Sequence, residues 1–167
     1  MPGDVLGSDV RTIYYIRSEN AFNLARATGV WEIVRGRVAG RNPYLRSFRE
    51  SVGDLSLAGA RYVGMQTIAT KDIVGSLGRE REFSRGFLPV GSTARQKERW
   101  RQSYKRLFTG DIHSPVQVCR AGKKYFVVNG HHRVSVARYF NVKTIQAHVS
   151  EVDIKNDSGS NGDFTRG

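Results

Sequence analysis

Residues 124–149, KYFVVNGHHRVSVARYFNVKTIQAHV, decide how the rest of the chain is read. Tyr125, Phe126, Val127 and Val128 form an apolar, β-prone run that ends in an Asn129-Gly130 turn. His131, His132 and Arg133 follow at once and open a short helical stretch to Phe140, which Asn141 stops. A second strand then alternates strictly, with Ile145, Ala147 and Val149 on one face and Gln146 and His148 on the other. A strand that ends in glycine at the mouth of a helix leaves backbone N–H groups unpaired at the positive end of the helix dipole. Such an elbow is a ready seat for an anion. Two imidazoles and a guanidinium in the first turn are unfavourable there unless an anion offsets them, so the pattern points to phosphate.

The 167 residues suit one domain with a real hydrophobic core. No apolar run is long enough to span a bilayer, and the N-terminus lacks a basic segment followed by an apolar one, so neither membrane nor secretion is expected. The single cysteine, Cys119, has no partner for an internal disulfide, which fits a cytoplasmic location. Charge is the strongest global signal, at a net +12. Residues 61–110 hold 11 Lys/Arg against 4 Asp/Glu, whereas residues 1–60 hold 8 against 6. A basic block of this density calls for a polyanionic partner, and DNA or RNA fits better than a lipid surface because no amphipathic anchor accompanies it. A solvated surface that keeps the protein soluble is the plainer alternative.

Residues 1–11 are expected to be disordered and 12–16 (TIYYI) to be β-prone. Ser18 opens a helical segment with Phe22, Ala25, Trp31, Ile33 and Val34 as apolar candidates, interrupted at Gly29 and ended by Gly36 and Gly40. Asn42-Pro43 reads as the start of a further helix through Tyr44, Leu45, Phe48 and Val52. This region is packing material or an arm for a protein partner. Residues 61–68 alternate as a strand, Thr70-Lys71-Asp72 caps a turn, and 75–87 is a loop rich in glycine and arginine. Glycine lets a backbone approach phosphate and arginine binds paired oxygens, but Glu80 and Glu82 in the same loop offer Arg79, Arg81 or Arg85 an ordinary ion pair.

The clearest helix is 92–109, capped by Ser92 or Thr93, carrying Trp100, Tyr104, Leu107 and Phe108 as its core stripe and closed by Gly110. Arg95, Lys97, Arg99, Arg101, Lys105 and Arg106 occupy its other faces and are the candidate contacts to a nucleic-acid backbone. Asp111 to Pro115 connects to a strand at 116–119, a turn at 120–123 and the return strand. Cys119 is a strand residue facing the interior, or else a reactive thiol with only Arg120 to activate it. Four histidines (113, 131, 132, 148) lack the spacing of a zinc site, and no metal site is expected in the protein itself. The tail after Glu151 is rich in Gly, Ser, Asn and Asp and is expected to be disordered.

The run from Val116 to Val149, strand–turn–strand–NGHHR–helix–strand, resembles the core of the ParB/sulfiredoxin-like superfamily, where a Gly-x-x-Arg turn at a helix start holds nucleotide phosphates. Residues 68–83 (IATKDIVGSLGREREF) are similar to its first segment, and the resemblance covers roughly 62–152. It implies an α+β fold: a small mixed sheet forming an open, barrel-like core flanked by helices. The expected organisation is a helical N-terminal extension over 1–60, the core domain over 61–152 and a tail over 153–167. The resemblance further implies binding of ATP or a related triphosphate with Mg²⁺, seated by Asn129, Gly130, His131, Arg133 and Arg79. His131, His132 and Arg133 would do the chemistry, in a protein that hydrolyses the nucleotide and acts on DNA, even as a nuclease. Sulfiredoxins carry their catalytic cysteine where this chain has His131, and chromosome-partitioning ParB proteins carry Glu-Arg-Arg in the turn and a helix-turn-helix domain after it. Free-serine kinases have Asp-Gly-His where this chain has Asn129-Gly130-His131, leaving Glu80 or Glu82 as the available base. A small-molecule kinase and a non-enzymatic DNA- or partner-binding inhibitor are therefore the alternative readings.

Overall fold

A computed structural model describes residues 5–53, 59–110 and 114–153, with side chains from residue 10 onward. The fold is α+β: a six-stranded mixed sheet with helices against it and a long N-terminal helix. The strands are β1 (Arg46–Ser47), β2 (Arg61–Ala69), β3 (Ile73–Ser76), β4 (Val116–Ala121), β5 (Lys124–Asn129) and β6 (Thr144–Val152). Their spatial order is β1-β3-β5-β4-β6-β2. Within it β1–β3, β3–β5 and β4–β6 run parallel, and β4–β5 and β6–β2 antiparallel. The helices are α1 (Val5–Val38), α2 (Phe48–Val52), α3 (Ala94–Thr109) and α4 (His131–Tyr139).

The β5–α4–β6 unit is the centre of the molecule. Successive residues of β4 point to opposite faces of the sheet, as a period of two requires. Val116 and Val118 join Val127, Val134, Val149 and Phe87 in the main core under α4, while Cys119 and Ala121 join Phe48, Phe126 and Val152 behind the sheet. Cys119 is fully buried, and burial pushes its thiol up to about 11, so it behaves as a small apolar residue. The opposite flank of α4 meets α3 and α1, where Trp100 donates its indole N–H to Ser135 Oγ at 3.0 Å and lies edge-on to Phe22. A complete capping box at Thr93 and Gln96 starts α3, and Gly110 in the left-handed region ends it. Of its apolar stripe, Trp100 and Tyr104 are buried, Leu107 is half-buried and Phe108 stays exposed.

The N-terminal third departs from its sequence reading. Residues 5–11 and the TIYYI run belong to α1, a 34-residue helix, rather than to a disordered arm and a strand. Tertiary contacts override β propensity there. Tyr14 packs against the Phe22–Trp100 cluster, and the Arg101 guanidinium lies 3.7 Å from the centre of the Tyr15 ring. Gly29 does not interrupt α1 but seats it: a Cβ there would lie 2.6 Å from the Pro89 carbonyl oxygen. The helix also runs through Gly36 and ends at Val38.

Asn42-Pro43 does not start a helix. Asn42 Oδ1 accepts the Tyr44 N–H at 3.1 Å in a local turn, and Pro43 O accepts the N–H of the distant Arg85 at 2.7 Å, so that Arg46–Ser47 reaches the sheet edge. Helix α2 is only the five residues from Phe48. The 75–87 loop likewise begins inside strand β3 and continues through a short 3₁₀ turn, Glu80–Glu82. Phe87 takes φ 67°, a strained value for a bulky residue, in a tight turn that buries its ring completely against Phe83. The strand after Tyr125, the helix from Gly130, the Asn141 stop and the alternation of β6 stand as the sequence reads them. Residues 1–4, 54–58, 111–113 and 154–167 lie outside the described residues, and with them part of the expected N-terminal disorder, part of the 111–115 connector, His113 and the tail. Among the described residues no helix is long and apolar enough to cross a membrane.

Gly29 gives a test of the packing. Glycine to alanine inside a helix ordinarily stabilises by about 1 kcal/mol. Here Gly29→Ala is expected to lower the urea midpoint instead, because the new methyl meets a backbone carbonyl at 2.6 Å.

Candidate functional site

The elbow between β5 and α4 is built on Gly130, which has φ 100° and ψ 22°. A Cβ at this position would be strained by its backbone and would sit 2.8 Å from Val116 Cγ1. No side chain caps α4, so its first amides rely on other partners. Asn129 is exposed at the rim, whereas His131 and His132 turn inward and are only 2% and 7% exposed.

Each imidazole has its own surroundings. His131 Nε2 lies 2.7 Å from Ser76 Oγ, and its ring stacks on Phe83 with the planes 16° apart. His132 meets the same Phe83 edge-on, and its Nε2 is 3.5 Å from Arg79 Nη2. The His132 Nδ1 atom is buried without a hydrogen-bond partner, an unusual state for a native polar atom. Burial, reinforced by the neighbouring Arg79 charge, pushes both imidazoles down to about 4. They are therefore neutral at pH 7, and the sequence reading of three cationic groups in this turn is corrected to one. The helix start carries no double charge for a ligand to offset.

Arg79 is held by Glu82 through two hydrogen bonds, Nε to Oε1 at 2.8 Å and Nη2 to Oε2 at 2.5 Å. This is the ion pair that the sequence offers as the plainer role for that loop. Glu82 also accepts from Gln96 Nε2 at 3.1 Å, which ties the loop to the capping box of α3. Hydrogen bonding from Arg79 holds the Glu82 carboxyl down to about 2, too low for a general base. Glu80 Oε1 accepts the Gly78 N–H at 2.9 Å. In front of this pair lies a cleft of about 450 Å³ lined by Arg79, Glu82, Thr93, Arg95, Gln96 and Arg99.

Arg133 faces a different neighbourhood. Its Nη1 donates to the Ser114 carbonyl and, at 2.9 Å, to that of Pro115, and it shares a small cavity with Arg106, Leu107 and Ser114. Burial and the nearby Arg106 charge lower its pKa. Arg79, beside α4, and Arg133, within it, thus lie next to different parts of α3. Helix α3 links them, because Arg95, Arg99 and Arg106 recur at i, i+4 and i+11 on one exposed stripe. Lys105 is also exposed. Lys97 and Arg101 are not free cations: Lys97 pairs with Glu19, and Arg101 bonds Ser18 Oγ at 3.0 Å and Glu98 at 3.2 Å while covering Tyr15. The proposed basic face is therefore narrower than the six residues suggest.

Ser76, Phe83 and Gln96 complete the surroundings; the contacts of Ser76 with His131, of Phe83 with both imidazoles and of Gln96 with Glu82 join residues distant in the chain and carry no sequence signal. No family model matches the chain, and neither a curated protein nor a solved structure matches it significantly.

The buried imidazoles set a pH dependence. In the unfolded chain they take up protons near pH 6.5, but in the fold only near pH 4. Stability is therefore complete above about pH 6.5 and falls as the pH drops toward 4, by on the order of 2–3 kcal/mol per imidazole. Glu82, held near 2 against an ordinary 4.5, adds a further loss below pH 4.5. Urea midpoints measured between pH 7 and 4.5 should fall, and His131→Asn should flatten that slope.

Proposed function

We propose that this protein binds the phosphates of ATP or a related nucleotide and acts on nucleic acid, as the resemblance to the ParB/sulfiredoxin-like superfamily implies. The observation that carries the reading is the cleft beside the α4 elbow, where Arg79, Arg95 and Arg99 face a single carboxylate, Glu82. Three guanidinium groups in a concave site recognise phosphate oxygens better than any other common ligand group. Arg133 acts here as a strut, fastening the elbow to the 114–115 carbonyls.

Among the described residues no three His, Cys, Asp or Glu side chains converge as a metal cage. Magnesium would therefore come with the nucleotide, held by its phosphates. When bound, it supplies charge neutralisation for phosphoryl transfer. The nucleic-acid partner lies along the exposed stripe of Arg95, Arg99 and Arg106, whose 11-residue span measures roughly 16 Å. The stripe begins in the cleft and ends near Arg133, so nucleotide and nucleic acid would be neighbours.

Calorimetric titration with ATP, ADP, CTP and GTP in the presence of magnesium tests the cleft. Arg99→Ala is expected to weaken phosphate binding at least tenfold, whereas Arg133→Ala should act mainly by lowering stability. Equal affinity of wild type and Arg99→Ala would remove the cleft from consideration. For the stripe, replacing Arg95, Arg99 and Arg106 with Gln should reduce the slope of log affinity against log salt by about 2–3. Nucleotide turnover stimulated by a free amino acid rather than by DNA would favour the kinase alternative.

A further inference from the structure

A second basic concavity shares no residue with the cleft. It consists of two hollows, of about 870 and 770 Å³, that have Glu32, Gly86 and Arg138 in common and so meet at a waist. Lys71 and Lys143 line the first hollow, Arg35, Arg41 and Arg85 the second, and Arg138 both. Against these six cations the walls carry a single acid, Glu32. Its carboxylate is already engaged, with Oε2 accepting the Ser84 hydroxyl at 2.6 Å and the Gly86 N–H at 3.1 Å. None of the six cations forms an ion pair among the described residues. Charges of one sign on a concave wall focus their field on whatever enters it.

The waist is the most firmly built part of this groove. Arg138 donates Nη1 to the Thr70 carbonyl at 3.3 Å and Nε to the Gly86 carbonyl at 3.5 Å, and among the described residues its Nη2 has no acceptor. A guanidinium held in place by backbone carbonyls, with one nitrogen still to be used, is pre-organised for phosphate oxygens. Arg85 and Gly86 stand in the turn that Phe87 closes at φ 67° with its ring fully buried. Backbone strain of this kind persists where the surrounding fold over-determines it, and it clusters at ligand-binding turns.

We infer that this groove binds a single-stranded nucleic acid, with one phosphate on Arg138 and the flanking nucleotides in the two hollows. Each hollow has the size of a small-molecule site. A chain that carries one anion between successive bulky groups suits two hollows joined at one guanidinium. A lipid surface presents its headgroups as a plane, and an acidic peptide brings no group that fills hollows of this size. Duplex DNA, with its bases paired inside, would leave them empty. Tyr139, half-buried in the wall of the first hollow, adds aromatic surface for a base. The groove is a surface separate from the α3 stripe, none of whose arginines lines it.

Arg35 and Arg138 also lie in the last turns of α1 and α4, where a cation complements the helix dipole. The test therefore rests on Lys71, Lys143, Arg41 and Arg85, all exposed, whose replacement leaves the core intact. Fluorescence anisotropy on the full chain would follow a labelled oligothymidylate of about 15 nucleotides. Lys71→Gln, Lys143→Gln, Arg41→Gln and Arg85→Gln combined are expected to weaken binding roughly tenfold or more. The slope of log affinity against log salt should fall by about 3, at ~0.7 per phosphate contact. The lysine pair and the arginine pair, changed separately, should each produce part of that loss, and a duplex of the same length should lose less. The same loss should appear when the substitutions are made on top of Arg95→Gln, Arg99→Gln and Arg106→Gln, which separates failure of the groove from failure of the stripe. Unchanged affinity in the combined variant, equal losses for strand and duplex, a loss confined to one pair, or a wild-type protein that does not bind the strand would each overturn the proposal. So would displacement of the strand by thymidine monophosphate at equal phosphate concentration, since a free nucleotide would then be the ligand.

Discussion

The burial of the first turn of α4 is the constraint on which this structure depends. A helix start is normally left near water because its first amides lack intrahelical partners. Here the chain sends two imidazoles inward at that point and covers them with Phe83, Ser76 and Arg79. The covering residues belong to the end of β3 and the segment after it, so β3, its loop and α4 must assemble together. Glycine at position 130 makes the inward turn sterically feasible, and Val116 closes over it. Desolvation then removes the charge that the imidazoles would carry on the surface.

That change of charge alters the electrostatic character of the site. A surface elbow with three cations would attract phosphate directly into the helix mouth. The folded elbow leaves attraction to arginines that reach it from outside: Arg79 from the loop, Arg95 and Arg99 from α3. Of these, Arg79 is already shared with Glu82, which is shared in turn with Gln96. An anion that draws on Arg79 therefore competes with a carboxylate fixed to the start of α3, and the cleft is coupled to the helix that carries the rest of the basic stripe.

Where the sequence could be read, the signals were local. The β5 run, the Asn-Gly turn, the cap at Ser92 or Thr93, the Gly110 stop and the alternation of β6 each depend on residues within a few positions of one another. The N-terminal third departs from its local signals because its structure is imposed from afar. TIYYI is β-prone by composition, yet it is helical, with Tyr14 packed against the Trp100 cluster and Arg101 lying over the Tyr15 ring. Strand β1 is two residues long and exists only because β3 is there to pair with it. The neutral state of His131 and His132 was illegible for the same reason, since only the fold reveals that Phe83 and Ser76 lie over them.

Glu32 adds one more consequence. Its carboxylate accepts the Ser84 hydroxyl at 2.6 Å and the Gly86 N–H at 3.1 Å, and Gly29, one turn earlier on the same helix, lies flush against Leu88 and Pro89. Together they act as a key in a slot, preventing α1 from rolling about its own axis. The groove wall that this helix supplies is consequently clocked to a fixed bearing before any visitor arrives. The rotational freedom that a loosely tethered arm surrenders on docking has, in this molecule, already been given up in folding.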